Sequence, residues 1–234
     1  MKIIELPIKV EFNDQKDYIY PSLIESRGEL TLVDTGYPFC LKLIEEAIIK
    51  NHYQIGQLKN IIITHYDMDH IGSLREFKDQ FPWINIIASD TESKYISGQV
   101  KSERLKQAEE MQQHMPKELQ EFGKSFISQL KEQKHVSVDR VVYNGDLILD
   151  KSCEVVATPG HTSGHISLFF PHLNSVITGD AAVHQDHKLM IANPDYCLNM
   201  EDAKKSLAKL KKLDANTYYC YHGGKYTKTN AFLY

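Results

Sequence analysis

Apolar and polar side chains alternate over most of the first 35 residues. The alternation runs through residues 4–6, Ile8–Phe12, 18–25 and Glu29–Val33, and Asn13-Asp14 interrupts it as a turn signal. Because successive side chains of a strand point to opposite faces, this pattern predicts β-strands that each turn one face toward a core. The first 35 residues are therefore predicted to form strands of a β-sheet.

Farther along the chain, helical spacing alternates with short apolar runs. Helical spacing predicts helices at about 38–51, opened by Pro38, and at 74–79, and residues 91–134 show no strand pattern and also predict helices. An apolar stripe marks the second half of that segment: Leu119, Phe122, Phe126 and Leu130. Asn199 predicts an N-cap, with Asp202 at the third helical position, for a last helix that ends near Leu213. Short apolar runs predict further strands at 60–64, 85–88, 138–143, 147–149, 154–158, 166–170, 175–178 and 217–221.

Strands interleaved with helices, without a linker-like stretch, indicate one layered domain of the α/β or α+β class over residues 1–234. The 234 residues are 42% hydrophobic and 25% charged, which excludes a disordered chain. A chain of this length can bury roughly 70% of its unfolded surface, enough for one sizeable core. The net charge of −4 argues against broad nucleic-acid binding, which uses a basic surface.

The sequence favours a cytoplasmic protein. Residues 1–12 alternate charge and bulk without the continuous apolar core of a signal peptide, and the apolar runs are too short to span a bilayer. The four cysteines, Cys40, Cys153, Cys197 and Cys220, lie far apart without a CxxC pair. This spacing is typical of reduced thiols rather than of a disulfide framework.

Several of the 11 histidines follow apolar strands directly. The runs at 61–64, 155–160, 176–179 and 218–221 lead into His65, His161, Asp180 and His222. A rigid sheet positions residues at strand ends while the loops leave them accessible, so catalytic groups collect there. A single histidine after a strand is usually only solvated, but a set of this size indicates a metal site.

The densest cluster is His65-Tyr66-Asp67-Met68-Asp69-His70. His65 and Asp67 lie two apart in an extended segment and point the same way, whereas the adjacent Asp69 and His70 diverge, which suits them to a second ion beside the first. Imidazole and carboxylate ligands suit Zn, Fe or Mn, and the cluster lacks the cysteines of a purely structural zinc site.

In this order along the chain, the motifs resemble those of the metallo-β-lactamase-fold superfamily of metallohydrolases. That family carries HxHxDH, a histidine in a PGHT-type turn, an Asp after a Gly and a late histidine. The matching segments here are His65 to His70, Thr158-Pro159-Gly160-His161-Thr162-Ser163-Gly164-His165, Gly179-Asp180 and His222-Gly223-Gly224, preceded by Leu32-Val33-Asp34-Thr35-Gly36. The resemblance covers nearly the whole chain. It implies a four-layer αββα sandwich of α+β class with the metals at one edge and a helical cap insertion at about 91–135.

The resemblance also implies roles for individual residues, carried over by position. The first ion would take His65, Asp67 and His161, the second would take Asp69, His70 and His222, and Asp180 would bridge them. His165 would be a hydrogen-bond partner behind the ligands. Asp34 matches a buried acid that supports the metal loop, although a simple turn residue before Gly36 explains it equally well.

Asp67 departs from the family pattern, which has histidine there. We interpret it as a ligand that makes the site one charge unit less positive, which tilts metal preference modestly from zinc toward manganese or iron. The expected cofactors are two divalent metal ions, zinc first, with Mn or Fe as alternatives. The other interpretation of the same substitution is that the first metal site is not functional.

The predicted function is that of a dinuclear metallohydrolase for a small-molecule substrate. A metal-bridging hydroxide would cleave an ester, lactone, thioester or amide bond, with Asp69 orienting it or relaying its proton. Val183 stands where related lactonases carry tyrosine, which weakens that assignment, and a glyoxalase-II-like thioesterase would need a larger C-terminal helical region. His184 and His187 are candidates to line the substrate pocket.

Two further hypotheses remain open. The HxDxDH variant resembles DNA-uptake nucleases of the same superfamily, so a phosphodiesterase or nuclease is one alternative. The basic run at 204–212 gives it little support, because it fits the solvated face of an amphipathic helix. The other alternative is a degenerate, non-catalytic metal-binding domain with Asp67 as the lesion.

Overall fold

The apolar faces of the strands pack between two six-stranded sheets. The computed structural model describes residues 1–12 and 15–228, so the turn expected at Asn13-Asp14 lies outside the described residues. In spatial order the first sheet consists of β1 (Lys2–Glu5), β4 (Ser22–Ser26), β5 (Glu29–Val33), β6 (Leu58–Ile62), β7 (Asn85–Ser89) and β8 (Arg140–Val142). The pairs from β5 through β8 are parallel, and the others are antiparallel.

The second sheet is antiparallel except for one parallel pair, β12 with β15. In spatial order it consists of β16 (Gly224–Thr227), β15 (Thr217–Cys220), β12 (Ser175–Gly179), β11 (Ile166–Phe170), β10 (Cys153–Ala157) and β9 (Leu147–Ile148). Two hairpins flank the sheets, β2 (Ile8–Phe12) with β3 (Gln15–Ile19) and β13 (Val183–Gln185) with β14 (Lys188–Met190).

Helices cover the outer face of each sheet. The α-helices that the structure describes are α1 (Cys40–Lys50), α2 (Met68–Ile71), α3 (Leu74–Gln80), α4 (Asp90–Ile96), α5 (Glu103–His114), α6 (Gln120–Glu132) and α7 (Met200–Lys212). Of these, α5 and α6 pack on each other and border the cleft described below. Ile44 and Phe77 pack in the cluster on the outer face of the first sheet, and Leu210 packs in the cluster on the second. The order helix, sheet, sheet, helix is the α+β sandwich that the motifs implied.

Most predicted elements form at the expected places, and the differences have local causes. The run at 18–25 is divided, since β3 ends at Ile19 and β4 begins at Ser22 on either side of Pro21, which has no amide proton to donate. The strands β13, β14 and β16 were not predicted because they are only three or four residues long, too short to show an alternating pattern. Among the described residues, no helix combines the length and apolar character needed to cross a bilayer.

The helical insertion packs less completely than its apolar stripe suggested. Leu130 is buried, but Leu119 and Phe122 are 50% and 60% exposed. Phe126 stacks on Phe122 and lines the cleft described below. The stripe is therefore divided, since Phe126 and Leu130 border the cleft while Leu119 and Phe122 lie largely at the surface.

Candidate metal centre

Strand direction brings the motif residues to one edge of the sandwich. Since β10 and β12 both run antiparallel to β11, and β15 runs parallel to β12, the carboxyl ends of β10, β12 and β15 meet. The loop after β6, from the other sheet, joins them where the Ile166 amide donates to the Thr64 carbonyl oxygen, at 3.1 Å. Residues far apart in sequence thereby converge.

Asp34 supports the loop after β6. Its Oδ1 accepts a hydrogen bond from the Thr64 amide at 2.8 Å, and its Oδ2 accepts one from the Thr64 hydroxyl at 2.8 Å. The same Oδ2 lies 2.9 Å from His70 Nδ1. A carboxylate on one ring nitrogen fixes the tautomer and leaves the other nitrogen as the lone-pair donor, so His70 presents Nε2.

His165 holds the backbone at Asp180. Its Nε2 accepts a hydrogen bond from the Asp180 amide at 3.0 Å, so its proton sits on Nδ1, which lies 2.8 Å from the Thr158 hydroxyl. Burial, together with the imidazoles of His65 and His161, lowers the pKa of His165 well below its ordinary value. A neutral ring therefore positions the backbone at Asp180.

Six side chains form two groups whose ligand atoms lie close together. His65, His161 and Asp180 are the first group, and Asp69, His70 and His222 are the second. Asp180 lies between them, because its Oδ1 is 3.4 Å from His70 Nε2 and its Oδ2 is 3.5 Å from His161 Nε2 and 3.6 Å from His222 Nε2. Burial raises the pKa of Asp180, but the imidazoles of His222 and His70 outweigh that effect and hold it well below its ordinary value.

The polar atoms of these groups are those that a divalent cation would take. His65 Nε2, His70 Nε2 and Asp180 Oδ1 are buried and have no hydrogen-bond partner in the described part of the chain. Buried polar atoms are rarely left unpaired, because each one costs free energy. Imidazole nitrogen and carboxylate oxygen are ordinary ligands of zinc and similar metals, so the donor set fits divalent ions.

Asp67 lies beside the first group and is held by a buried arginine. Its Oδ2 is 3.0 Å from His161 Nε2 and 3.6 Å from His65 Nε2. Arg104, 2% exposed, donates to it twice, from Nε to Oδ1 at 3.1 Å and from Nη2 to Oδ2 at 2.6 Å. Burial raises the pKa of Asp67, but the Arg104 guanidinium reverses this and holds it well below its ordinary value.

Glu92, on α4, ties together two of the motif loops. Its Oε2 accepts from the Tyr66 amide at 2.9 Å, and its Oε1 accepts from the Thr162 hydroxyl at 2.7 Å and the Gly164 amide at 3.0 Å. The side chain is fully buried, and burial raises the pKa of Glu92 to about 8. The loop that carries His65 is thereby joined to the loop that carries His161.

The two groups lie at the floor of a cleft of about 540 Å³. Phe126 and Leu130 of α6 form part of one wall together with Tyr196, and Val183 and His184 also line the cleft. His187, the other pocket candidate, is not among the described lining residues. The helical insertion therefore contributes an apolar wall to the site.

The cluster positions were accessible to sequence reasoning, whereas Arg104, Glu92 and Tyr221 were missed. The Tyr221 hydroxyl donates to the Asp69 carbonyl oxygen. Arg104 and Glu92 reach the loop after β6 from 37 and 26 residues away, on helices without a recognisable motif. The one available signal was the extra negative charge of Asp67, which calls for a cation but does not say which of the 27 basic residues supplies it.

Comparison with known proteins identifies the family. The model of the metallo-beta-lactamase superfamily matches residues 16–222, which include the motif residues described above from Leu32 through His222. The chain belongs to this superfamily. Among solved structures, a metallo-beta-lactamase family protein from Thermus thermophilus superimposes with a TM-score of 0.68 at 19% identity, covering 96% of this chain and 74% of that one.

The curated proteins that this chain resembles are distant relatives. Uncharacterized protein YobT of Bacillus subtilis is 27% identical over 160 residues, covering 68% of this chain and 60% of YobT. A hydroxyacylglutathione hydrolase of Bartonella henselae is 27% identical over 203 residues, covering 85% of this chain and 62% of that enzyme. The chain thus spans about three fifths of the length of both relatives.

Proposed function

We propose that this superfamily member is a hydrolase that uses two divalent metal ions to cleave an ester, lactone, thioester or amide bond of a neutral small molecule. The observation that carries the proposal is the pair of ligand groups at the cleft floor with Asp180 between them. The unpartnered nitrogens of His65 and His70 support it, and they weigh against a degenerate domain. The relative named hydroxyacylglutathione hydrolase agrees with this class of reaction.

His65, His161 and Asp180, with Asp67 at their side, would hold one ion, and Asp69, His70 and His222 would hold the other. Such ions, when bound, lower the pKa of a water molecule enough to make it a nucleophile at neutral pH. Zinc is the first expectation from the imidazole-rich donors, and the carboxylates leave manganese and iron as alternatives.

Asp69 is the residue placed to handle the proton. Its side chain is 20% exposed, compared with 7% for Asp180, and it lines the cleft. Burial raises the pKa of Asp69, but the imidazoles of His70 and His222 hold it below its ordinary value. In the proposed reaction this carboxylate accepts a proton from the attacking water and returns it to the leaving group.

The lining of the cleft favours a neutral substrate. Among the lining residues that the structure describes there is no lysine, and the single arginine, Arg104, is already bound to Asp67. Phe126, Leu130 and Tyr196 offer an apolar surface instead. Apart from the proposed metal ions, a phosphodiester would find no unpaired basic side chain among the described lining residues, so the nuclease alternative is less well supported.

Two remaining expectations belong with this proposal. We propose that the chain is one domain, with α5 and α6 as an insertion into the sandwich that supplies the apolar wall. We also propose that it works in the cytoplasm. All four cysteines are buried and free, which agrees with the reducing interior of a cell.

A panel of chromogenic substrates tests the function. Purified protein with added zinc or manganese is assayed on neutral aryl esters, a lactone, a thioester and an amide, together with carboxylated counterparts and a phosphodiester. We expect metal-dependent cleavage of a neutral carbonyl substrate and its loss in Asp180→Asn, by on the order of 10³-fold. Asp90→Asn, an exposed partner of Lys94, is the matched control and keeps full activity. Cleavage of the phosphodiester alone would replace this proposal with the nuclease.

A further inference from the structure

The ion pair between Asp67 and Arg104 makes the two ligand groups unequal. We propose that Arg104 competes with a metal ion for Asp67, so that the second group binds a divalent cation first and the first group binds one more weakly. This inference rests on the proposed function, because it assumes that both groups bind metal.

Arg104 is a fixed cation whose hydrogen-bonding nitrogens are all engaged. Nε and Nη2 donate to Asp67, and Nη1 donates to Gln107 Oε1 at 2.6 Å and to the Tyr196 carbonyl oxygen. Its guanidinium also lies over the Tyr196 ring, 5.6 Å from the centroid. With these partners Arg104 has little capacity left to bind a substrate anion. Its positive charge therefore acts on the side chains that it contacts, Asp67 and His161.

Arg104 lies against the first group and against Asp67 beside it. Arg104 Nη2 lies 2.6 Å from Asp67 Oδ2 and 3.4 Å from His161 Nε2. Both carboxylate oxygens of Asp67 are hydrogen-bonded to the guanidinium, and the convergent ligand atoms are those of His65, His161 and Asp180 without Asp67. A cation bound by this group would lie beside the fixed positive charge of Arg104. Asp67, which could serve as its fourth ligand, is already bound to that arginine.

The second group has the opposite surroundings. Among the described residues, the ion-pair partners of Asp69 are the imidazoles of His70 and His222, at 3.5 and 3.2 Å. Behind His70, Asp34 accepts from Nδ1, which raises the basicity of the ring toward a metal. Carboxylates without a competing cation make this group the stronger site.

Asp67 and Arg104 together carry no net charge, as a neutral histidine does. The pair therefore preserves the charge of the usual family pattern while it withdraws a ligand. Removal of Arg104 alone would free Asp67 and add one negative charge to the first group. Both changes should strengthen cation binding there and leave the second group nearly unaffected.

Stepwise metal affinities test the inference without an activity assay. Apoprotein is titrated with Zn²⁺ against a chromophoric chelator, which resolves two dissociation constants. For the wild type we expect constants that differ at least tenfold. His65→Ala should remove the weaker step and His222→Ala the stronger one. In Arg104→Gln the weaker step should tighten at least tenfold while the stronger step changes less than threefold.

Two variants complete the design. Arg75→Gln removes an exposed arginine paired with Asp79 and should change neither step. The double variant Asp67→His with Arg104→Gln avoids an unpaired buried carboxylate, so it serves if the single variant does not fold, and it should also tighten the weaker step. Circular dichroism establishes that each variant is folded.

The other outcomes are distinct from one another. Weakening of the lower-affinity step in Arg104→Gln would overturn the inference, because Arg104 would then be orienting Asp67 as a ligand. Two equal constants, unchanged in the variants, would overturn it as well. If the folded wild-type protein bound no Zn²⁺ in either step, the proposed function itself would fail.

Discussion

Asp34 combines a backbone role and a side-chain role in one residue. It adopts a left-handed φ of 63° directly after β5, as a turn residue does, and its carboxylate bonds to Thr64 and His70. Asp tolerates this conformation better than most residues because of its short polar side chain. Its geometry therefore combines that of a turn residue with hydrogen bonds to the loop after β6.

Replacement of Asp34 by Asn tests the support of His70. The amide nitrogen of Asn would donate to His70 Nδ1, which moves the ring proton to Nε2 and removes the lone pair needed by a metal. We expect divalent-metal affinity to fall by about 10- to 100-fold in a folded protein, as for other residues behind a ligand. Chelator competition measures this effect.

The matched control for this variant is Asp139→Asn. Asp139 also accepts a backbone hydrogen bond, from the Ile86 amide, and pairs with Lys78, but it belongs to neither ligand group. Its replacement should leave metal affinity unchanged. Equal affinity in wild type and Asp34→Asn would show that the tautomer of His70 does not depend on Asp34.

Helices and strands could be predicted from the sequence where neighbouring residues determine their bounds. Asn199 caps α7 as expected, since its side chain accepts from the amides of Glu201 and Asp202. The approach of α5 to the site could not be predicted, because it depends on the buried pair between Arg104 and Asp67 rather than on local periodicity. Amphipathic spacing places a helix but does not select the surface it covers.

The start of α7 is also tied to the loop that carries His161. The amides of Leu198 and Asn199 donate to the carbonyl oxygens of His161 and Gly160, at 3.2 and 2.9 Å. Gly160 has a φ of 134°, and a Cβ there would lie 2.2 Å from the Ala203 amide nitrogen. The close approach of loop and helix therefore requires glycine.

Loss of the cap should cost stability without moving this loop. Asn199→Ala removes the two capping hydrogen bonds and the one that the side-chain amide donates to Asp202 Oδ2, but it keeps the backbone ones. We therefore expect a loss of about 1 kcal/mol in the free energy of unfolding. Urea denaturation measures it. Asn216→Ala, at an exposed asparagine, is the control and should stay within about 0.5 kcal/mol of wild type. An equal loss in both variants would mean that the cap contributes nothing specific.

At the scale of the whole molecule, the site depends on contacts between the two halves of the sandwich. The order of motifs along the chain predicted that their loops would meet, because strand ends at one edge of a layered fold are neighbours. It could not predict what holds them together. Glu92 does this with three hydrogen bonds, one to the loop after β6 and two to the loop after β10.

The raised pKa of Glu92 predicts how this contact depends on pH. The pKa is about 8 in the folded protein and 4.5 in the unfolded reference, so between these values the folded state keeps a proton that the unfolded state has released. The contribution of Glu92 to stability is therefore complete below about pH 4.5 and is lost as the pH rises through 8.

Glu92→Gln removes the titration and keeps a buried polar side chain. With a chelator present, the free energy of unfolding is measured for both proteins from pH 5 to pH 9. We expect the wild type to lose stability relative to the variant by up to about 1.4 kcal/mol per pH unit in the middle of that range. Other titrating groups are common to both proteins and cancel in the difference. A constant difference would mean that Glu92 stays ionised in the fold, held by its three donors, and that the two halves are joined by a charge rather than by a neutral acid.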